Sequence, residues 1–491
     1  MIGAIVQALS ILATPEALVV VFAGAIIGTF LGAIPGLGGA ITLALLIPFS
    51  FAFDTNIGIL LLIGALGGVN FGGSIPSIIL NIPGTAPSVI TTIDGYQMTK
   101  QGRGGEALGA SATASALGAL IGIVFLIAMI PIVRQVLLLF GPPEFLLISV
   151  IALIIVASVL QGSLVTGLIG VALGVALGFH GYNPITGGLR FDFGILYLYD
   201  GIPLMLTILG LFAISEMIAM SRDRISFSPD SADIRGSPIE GAVQVVKHWK
   251  VLVQSAIIGI VVGIIPAVGA TVSTLIAYSR AKAGAEDPST FGNGDVRGVI
   301  APEGSNDAKD GASLLPTLAF SIPGSPSHAV LLGGLLIHGV TPGPGLFDSA
   351  NLYLVFVLTF GLLISNMITS GIGLGLANQI TKVTKVSPAL IIPSVLVLSM
   401  FGAYAARGNP LDLLLVLGMG LFGYLAIQAD VSRIAILFGM ILGPIIENTY
   451  HQTIQIARLN LSRVLTSTVL VIMAILIVSM FGYRYYIGRT T

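Results

Sequence analysis

The stretch GAIIGTFLGAIPGLGG at residues 24–39 decides the fold, and a second copy, SAIIGIVVGIIPAVGA, lies at residues 255–270. The two copies share a constant offset, because Pro35 and Pro266 are 231 residues apart (266 − 35). Proline removes a backbone donor and glycine permits unusual backbone shapes, so each copy interrupts its apolar run. At membrane depth such a break is tolerated only where it is buried in protein or lines a cavity. Corresponding breaks in two halves are typical of a transporter's binding site.

The composition predicts a helical protein that crosses a membrane several times. The chain has 491 residues, of which 55 % are hydrophobic and only 9 % are charged. Soluble proteins carry about 25 % charged residues, and a β-barrel would show short alternating strands instead. The chain has no cysteine, which excludes disulfides and thiolate metal sites. The net charge of −1 gives no indication of nucleic-acid binding.

A second pair of broken stretches follows the first pair. Residues 74–96, SIPSIILNIPGTAPSVITTIDGY, come after a predicted span at 57–73, and residues 314–334, LLPTLAFSIPGSPSHAVLLGG, repeat their pattern. The offset is now 240 (316 − 76), which is nine residues more than 231 and predicts an insertion in the hydrophilic stretch 280–311. Each half therefore combines two broken elements. The arms of the first break, 17–34 and 40–53, form either two short spans or a re-entrant hairpin.

Charge placement predicts how the halves are oriented. The polar segment 221–250 divides the chain into a first repeat, 1–220, and a second repeat, 251–491. Lysine and arginine flank the second hairpin, whereas Glu16 and Asp54 flank the first. Because basic residues collect in cytoplasmic loops, the segment 221–250 is a cytoplasmic linker and the repeats have inverted topology.

The broken stretches offer a site for an anion and a cation. Half-helix N-termini present unpaired N–H groups that suit carboxylates, and the carbonyl ends suit Na⁺. The predicted substrate-binding residues are Gly36, Gly38, Gly39, Asn81, Gly84, Thr85, Ser88, Gly269, Ala270, Thr271, Gly324, Ser325 and Ser327. The predicted cation-binding residues are Pro35, Gly36, Ser74, Pro266, Ala267, Asn306 and Ser321. Alternatively, the hydroxyl groups only cap half-helices or bond between spans.

Other polar residues admit two interpretations each. Asn306 and Asp307, in the stretch EGSNDAKD at 303–310, contact an ion or substrate, or belong to a solvated loop with Lys309. His328 near the second break is a proton sensor or anion ligand, or has a packing role. Glu447 is a helix-end contact or a coupling carboxylate. No transition-metal site is predicted.

No enzyme motif is present. The sequence contains neither H-E-x-x-H nor a P-loop lysine motif, and it lacks a G-x-S-x-G on a strand. We therefore expect no cofactor and no catalytic residues, and an ion gradient rather than ATP as the source of energy.

Several long motifs resemble the large membrane subunit of the tripartite tricarboxylate transporters. The resemblance extends from about residue 14 to at least residue 350 and more loosely to the C-terminus. One departure concerns the second half, where that family usually has a pattern like E-x-x-N-N-A and this chain has Glu303, Asn306 and Asp307. The motifs that carry the resemblance are TPE at 14–16, GAIPGLGG at 32–39, GGSIPSIILNIPG at 72–84, APSVITTIDGYQMTKQGRGGEALG at 86–109 and SIPGSPSHAVLLGGLLIHGVTPGPGLF at 321–347.

The resemblance implies uptake of a di- or tricarboxylate such as citrate, driven by Na⁺ or H⁺. It also implies two partners, a small membrane subunit and a periplasmic solute-binding protein, and a place in the lipid of a bacterial or archaeal cytoplasmic (inner) membrane. By similarity to related carboxylate carriers, a transport domain holding both hairpins would slide against a scaffold as an elevator. The alternatives are a passive anion channel, a stand-alone carrier of another organic anion and, from a different class, a membrane-embedded enzyme.

Overall fold

The computed structural model describes residues 1–159, 164–183, 185–223, 235–265, 268–376, 379 and 388–459. The regular secondary structure of these residues is helical, apart from one short antiparallel hairpin of β1 (Gly181–Tyr182) and β2 (Leu189–Arg190). A π-helical segment, Leu209–Ile214, joins α9 to α10. The helices are α1 (Ile2–Leu12), α2 (Pro15–Gly32), α3 (Gly39–Ser50), α4 (Thr55–Leu80), α5 (Val89–Lys100), α6 (Gly104–Leu137), α7 (Pro142–Val159), α8 (Leu164–Gly178), α9 (Leu204–Ile208), α10 (Ser215–Asp223), α11 (Pro238–Lys247), α12 (Trp249–Ile264), α13 (Gly269–Ala283), α14 (Arg297–Phe320), α15 (Pro326–Ile337), α16 (Leu352–Gly375), α17 (Pro388–Arg407), α18 (Leu411–Gln428) and α19 (Arg433–Leu459).

Membrane-length helices make up much of this fold. Among the described residues, eight helical segments are long and apolar enough to cross a membrane when α9, the π-helical segment and α10 are counted as one, or nine if α11 and α12, bent by 80°, form one span. The prediction of a multi-pass helical membrane protein is therefore confirmed. Helix α3, with 12 residues, rises about 18 Å and is too short to cross a hydrocarbon core of about 30 Å by itself.

Two sequence-based boundaries need correction. Helix α4 continues without interruption to Leu80, so the second break is confined to residues 81–88 and does not begin at residue 74. Pro76 lies inside the helix, and its carbonyl accepts the N–H groups that end it, those of Asn81 and Ile82. Residues 303–310 are not a solvated loop, because they lie in the middle of α14 and are buried. Tertiary packing overrides their polar composition.

The two halves pack their first broken helix in the same way. Helix α2 lies so close to α4 that a Cβ on Gly28 would come within 2.3 Å of the Ala65 carbonyl oxygen. Helix α12 repeats the contact, since a Cβ on Gly259 would come within 2.2 Å of the Ser305 carbonyl oxygen. The four residues obey the sequence offsets, because 259 − 28 is 231 and 305 − 65 is 240. Glycine is therefore required here for close helix approach.

The connection between α13 and α14 contains the extra residues of the second half. Residues 284–296 number 13, against four in the α3–α4 connection, residues 51–54, and the difference of nine agrees with the change in offset. The connection wraps around the buried Asp94 of α5, whose Oδ2 accepts a hydrogen bond from the Tyr278 hydroxyl at 2.8 Å. Three backbone N–H groups of the connection donate to Asp94 Oδ1, those of Gly292 at 2.8 Å, Gly294 at 2.9 Å and Asp295 at 2.9 Å. A buried carboxylate thus ties the second half to the first.

Candidate functional site

The four chain breaks meet around a cavity of about 850 Å³. Three helix N-termini open into it, because its lining includes the first residues of α3 and α13 and the N-cap residue of α15, Ser325. Backbone N–H groups at these ends favour an anion, both by direct hydrogen bonding and through the helix dipole. The π-helical segment, α10, the end of α18, the start of α19 and the connection between them also line the cavity, through Phe212, Glu216, Ile427, Asp430, Val431, Ser432, Arg433 and Ile434.

Ten of the thirteen predicted substrate-binding residues line this cavity, namely Gly36, Gly38, Gly39, Gly84, Thr85, Gly269, Ala270, Thr271, Ser325 and Ser327. The other three lie behind it or beside it. Asn81 is the exposed residue that ends α4. The Ser88 hydroxyl stabilises the break itself, since it donates to the Thr85 carbonyl at 2.8 Å. Gly324 allows close packing, because a Cβ there would come within 2.6 Å of Ser313 Oγ.

The structure distributes the predicted cation-binding residues over several places. Gly36 lines the cavity and Pro35 is buried next to it in the chain. Ser74 and Asn306 are buried in α4 and α14, and the Ser74 hydroxyl donates to Glu303. Ser321 lines a different cavity, of about 770 Å³, and its hydroxyl donates to the Pro342 carbonyl at 3.1 Å. Pro266 and Ala267 lie outside the described residues.

Two remaining candidates make contacts within the fold. The His328 ring is buried and lies 2.8 Å from Ser325 Oγ and 3.3 Å from the Asp310 carbonyl oxygen. Glu447 pairs with Arg190 at 2.7 Å, away from the cavity formed by the breaks. Glu447 lies in the middle of α19 and not at a helix end, and its partner Arg190 belongs to β2.

Sequence reasoning missed a buried polar contact on the cavity wall. Asn70 of α4 and Asp310 of α14 both line the cavity, and the Asn70 amide donates to the Asp310 carboxylate. Asp310 also pairs with the ammonium group of Lys309, which lines the cavity as well. A signal was available, since 310 − 70 is 240, the offset that relates the second pair of breaks.

After Lys309, a second cationic side chain lines the cavity, and it lies outside the broken stretches of both halves. Arg433, at the start of α19, lines the cavity and pairs with Glu216 at 2.9 Å. Its guanidinium also donates to Ser215 Oγ at 2.9 Å and to the Leu211 carbonyl at 3.3 Å. The predicted anion site of small polar groups is therefore incomplete, because the ion pairs Lys309–Asp310 and Arg433–Glu216 also line the wall.

Behind the cavity, a carboxylate is enclosed by hydroxyl groups. Glu303 of α14 is 2 % exposed. Within the described part of the chain no cationic side chain pairs with it. Its hydrogen-bond donors are the hydroxyls of Thr91 at 2.5 Å, Ser74 at 2.8 Å, Ser111 at 2.8 Å and Ser115 at 3.3 Å. The three helices α4, α5 and α6 thus converge on one side chain of α14.

Comparison with known families and proteins identifies relatives of this chain. Residues 18–438 match the model of the family described as "Tripartite tricarboxylate transporter TctA family". An uncharacterized 52.8 kDa protein of the TAR-I ttuC' 3' region of Agrobacterium vitis is 29 % identical over 455 residues, which cover 91 % of this chain and 88 % of the relative. An uncharacterized protein of the TAR-II ttuC' 3' region of the same organism is 28 % identical over 200 residues, 41 % of this chain and 82 % of the relative. No solved structure matches the chain.

Proposed function

The chain belongs to the tripartite tricarboxylate transporter TctA family, and from this premise we propose that it carries a di- or tricarboxylate such as citrate across the membrane, driven by a cation gradient. The TctA family is a family of transporter subunits, and this chain is the large one. The proposal adds the substrate and the coupling cation, Na⁺ or H⁺.

One observation carries the proposal. Three helix N-termini and two cationic side chains, Lys309 and Arg433, line the same cavity of about 850 Å³. A carboxylate bound there would accept backbone hydrogen bonds from two or more half-helices. Both cations already pair with carboxylates, Asp310 and Glu216, so the substrate would compete for them and release would remain possible.

The proposed cycle moves the cavity between the two sides of the membrane. The cavity lining combines two groups of elements, the breaks with α14, and α10 with the α18–α19 connection. Sliding of the first group against the second, as in an elevator built from inverted repeats, would open the cavity alternately. A small membrane subunit and a periplasmic binding protein would complete the transporter in the cytoplasmic (inner) membrane of a bacterium or archaeon.

The first experiment measures labelled citrate uptake into proteoliposomes that contain this chain, its small subunit and its binding protein. A panel of other di- and tricarboxylates is measured in parallel. Saturable accumulation that requires an inward Na⁺ or H⁺ gradient supports the proposal. Unsaturable uptake that persists without any gradient would identify a passive channel instead.

The site is tested by Gly38→Val. Gly38 lines the cavity, has an ordinary φ of −63°, and a Cβ built on it meets no atom within 4 Å. The variant should therefore fold and lose uptake, because its side chain projects into the cavity. Gly345→Val is the matched control, since Gly345 also has open space around its Cβ and lies away from the cavity. Normal uptake by Gly38→Val would refute the assignment of the site.

A further inference from the structure

Three carboxylates share one buried stripe of α14. Glu303, Asp307 and Asp310 are spaced i, i+4 and i+7, which places them on the same face of a helix. They are between 1 % and 3 % exposed. Asn306 lies on the same stripe, three residues after Glu303 and four before Asp310, and is 4 % exposed. Buried carboxylates without compensation are costly, so each must obtain hydrogen-bond donors or a counter-charge.

Asp307 is the carboxylate whose compensation is incomplete. Glu303 has its four hydroxyl donors, and Asp310 has the Lys309 ammonium group. Asp307 Oδ1 accepts one hydrogen bond, at 3.1 Å, from the Asn70 amide that also donates to Asp310. The Ser115 hydroxyl, which donates to Glu303 at 3.3 Å, also interacts with Asp307. Among the residues that the structure describes, neither Asp307 Oδ2 nor Asn306 Oδ1, both buried, has a hydrogen-bond partner.

The other carboxylates on α14 disfavour a negative charge on Asp307. Glu303 and Asp310 act on it from its own helix, and Lys309 is paired with Asp310. The helices packed against α14 also carry ionisable groups, except for α4, which has none. The others carry Asp94, Tyr96 and Lys100 on α5, Glu106 and Arg134 on α6, Lys250 on α12, Tyr278, Arg280 and Lys282 on α13, His328 on α15 and Tyr353 on α16. Of these, the His328 ring lies 3.9 Å from the Asp310 carboxylate, and the Tyr278 hydroxyl donates to Asp94.

We propose that Asp307 is the proton-carrying residue of the transport cycle, protonated on Oδ2 at neutral pH in the described conformation. The proposal rests on the proposed function and names its coupling ion as H⁺. A proton compensates a single oxygen atom, whereas an alkali cation needs a shell of several oxygens. The Asn70 amide presents N–H groups to this region, which would repel a cation.

Proton exchange has a short route to solvent. Asp310 lies one helical turn from Asp307 and lines the cavity, and both carboxylates share the Asn70 amide. Loading forms one O–H bond at Asp307 Oδ2 with a proton from water on one side of the membrane. Release breaks that bond and returns the proton to water on the other side, so no further reactant is needed.

The first test does not depend on transport. Infrared difference spectra of the purified chain, recorded between neutral and alkaline pH, should show the carbonyl stretch of a protonated carboxylic acid. The band should be absent from Asp307→Asn, present but shifted in Asp307→Glu, and unchanged in the control Asp348→Asn, whose residue is exposed. Identical spectra of the wild type and Asp307→Asn would overturn the proposal.

The second test uses the complete transporter in proteoliposomes with a trapped pH dye and the carboxylate panel. Wild-type uptake should acidify the lumen, whereas Asp307→Asn should exchange substrate across the membrane without accumulation or acidification. Accumulation driven by Na⁺ with no proton movement would overturn the proposal. If the wild type transports none of the carboxylates, the proposed function fails, and the infrared band still decides whether Asp307 holds a proton.

Discussion

Asn81 and Ser321 adopt the same left-handed backbone conformation, with φ and ψ of 58° and 27° in the first and 58° and 29° in the second. They end α4 and α14, and their N–H groups bond to the carbonyls of Pro76 and Pro316. The two residues are 240 positions apart (321 − 81). The second pair of breaks thus repeats in backbone geometry as well as in sequence, although neither residue is a glycine.

The first prediction concerns the strain at Ser321. A non-glycine residue in this region costs about 1–3 kcal/mol, and a β-branched residue costs more than serine. Ser321→Gly should therefore raise the melting temperature of the detergent-solubilised protein, and Ser321→Val should lower it. Ser321→Ala is the control, because it removes the hydroxyl bond to Pro342 and keeps the Cβ. A Ser321→Gly variant less stable than Ser321→Ala would contradict the prediction.

The second prediction concerns the close approach of broken and unbroken helices. Gly28→Ala and Gly259→Ala place a methyl group within 2.3 Å and 2.2 Å of backbone carbonyl oxygens. Backbone atoms cannot move aside as flexible side chains do, so both variants should lose most of their monodisperse protein in fluorescence-detected size exclusion. Gly371→Ala in α16 is the control, because its Cβ meets no atom within 4 Å. It should be neutral or stabilising by about 0.5–1 kcal/mol. A normal elution profile for Gly28→Ala would contradict the packing.

Local chemistry explains what could be predicted from the sequence. Proline and glycine change the conformation of their own backbone, so their positions in the sequence indicate where the breaks lie. Ten of the thirteen predicted substrate-binding residues, which were chosen at these breaks, line one cavity. The contact of Asn70 with Asp310 depends on how α4 and α14 pack, and single-sequence patterns do not contain that packing. Arg433 follows an apolar helix far along the chain without any break motif. Burial of Glu303 was missed because polar composition alone favours a loop, whereas the hydroxyls that satisfy it come from three other helices.

The third prediction concerns the hydroxyl cage of Glu303. Thr91→Val preserves shape and removes one donor to a buried carboxylate, which should cost about 1–3 kcal/mol. The loss should shrink when Glu303→Gln is also present, since the carboxyl group that accepts the hydrogen bond is gone; a double-mutant cycle measured by chemical denaturation checks this. Thr359→Val is the control, because this buried hydroxyl donates only to its own helix, to the Val355 carbonyl at 2.6 Å. Equal losses for Thr91→Val and Thr359→Val would argue against the cage.

The fourth prediction concerns the tie between Asp94 and the α13–α14 connection. Asp94→Ala removes the acceptor of three backbone N–H groups, so residues 284–296 should be cleaved faster by proteinase K. Asp287→Ala is the control, because the Asp287 carboxylate accepts from Ser289 within the connection itself. Mass spectrometry of the fragments identifies the cut. Cleavage of Asp94→Ala at the wild-type rate would show that the tie does not hold the connection.

The fifth prediction concerns a cation that lines the cavity. The Arg433 guanidinium pairs with Glu216, and Arg433 lines the same cavity as the three helix N-termini. A charge-assisted hydrogen bond to a substrate carboxylate contributes about 1.5–3 kcal/mol, so Arg433→Gln should raise the KM of uptake by roughly 10- to 100-fold. Arg433→Lys should lie between, because an ammonium group keeps the charge and loses the planar fork. Arg222→Gln is the control, since Arg222 ties α10 to α18 through the Tyr424 hydroxyl at 2.6 Å and does not line the cavity. If KM is unchanged in Arg433→Gln and only the protein yield falls, Arg433 serves to anchor α19 to the π-helical segment, and the substrate carboxylates are held by the half-helix N-termini and Lys309.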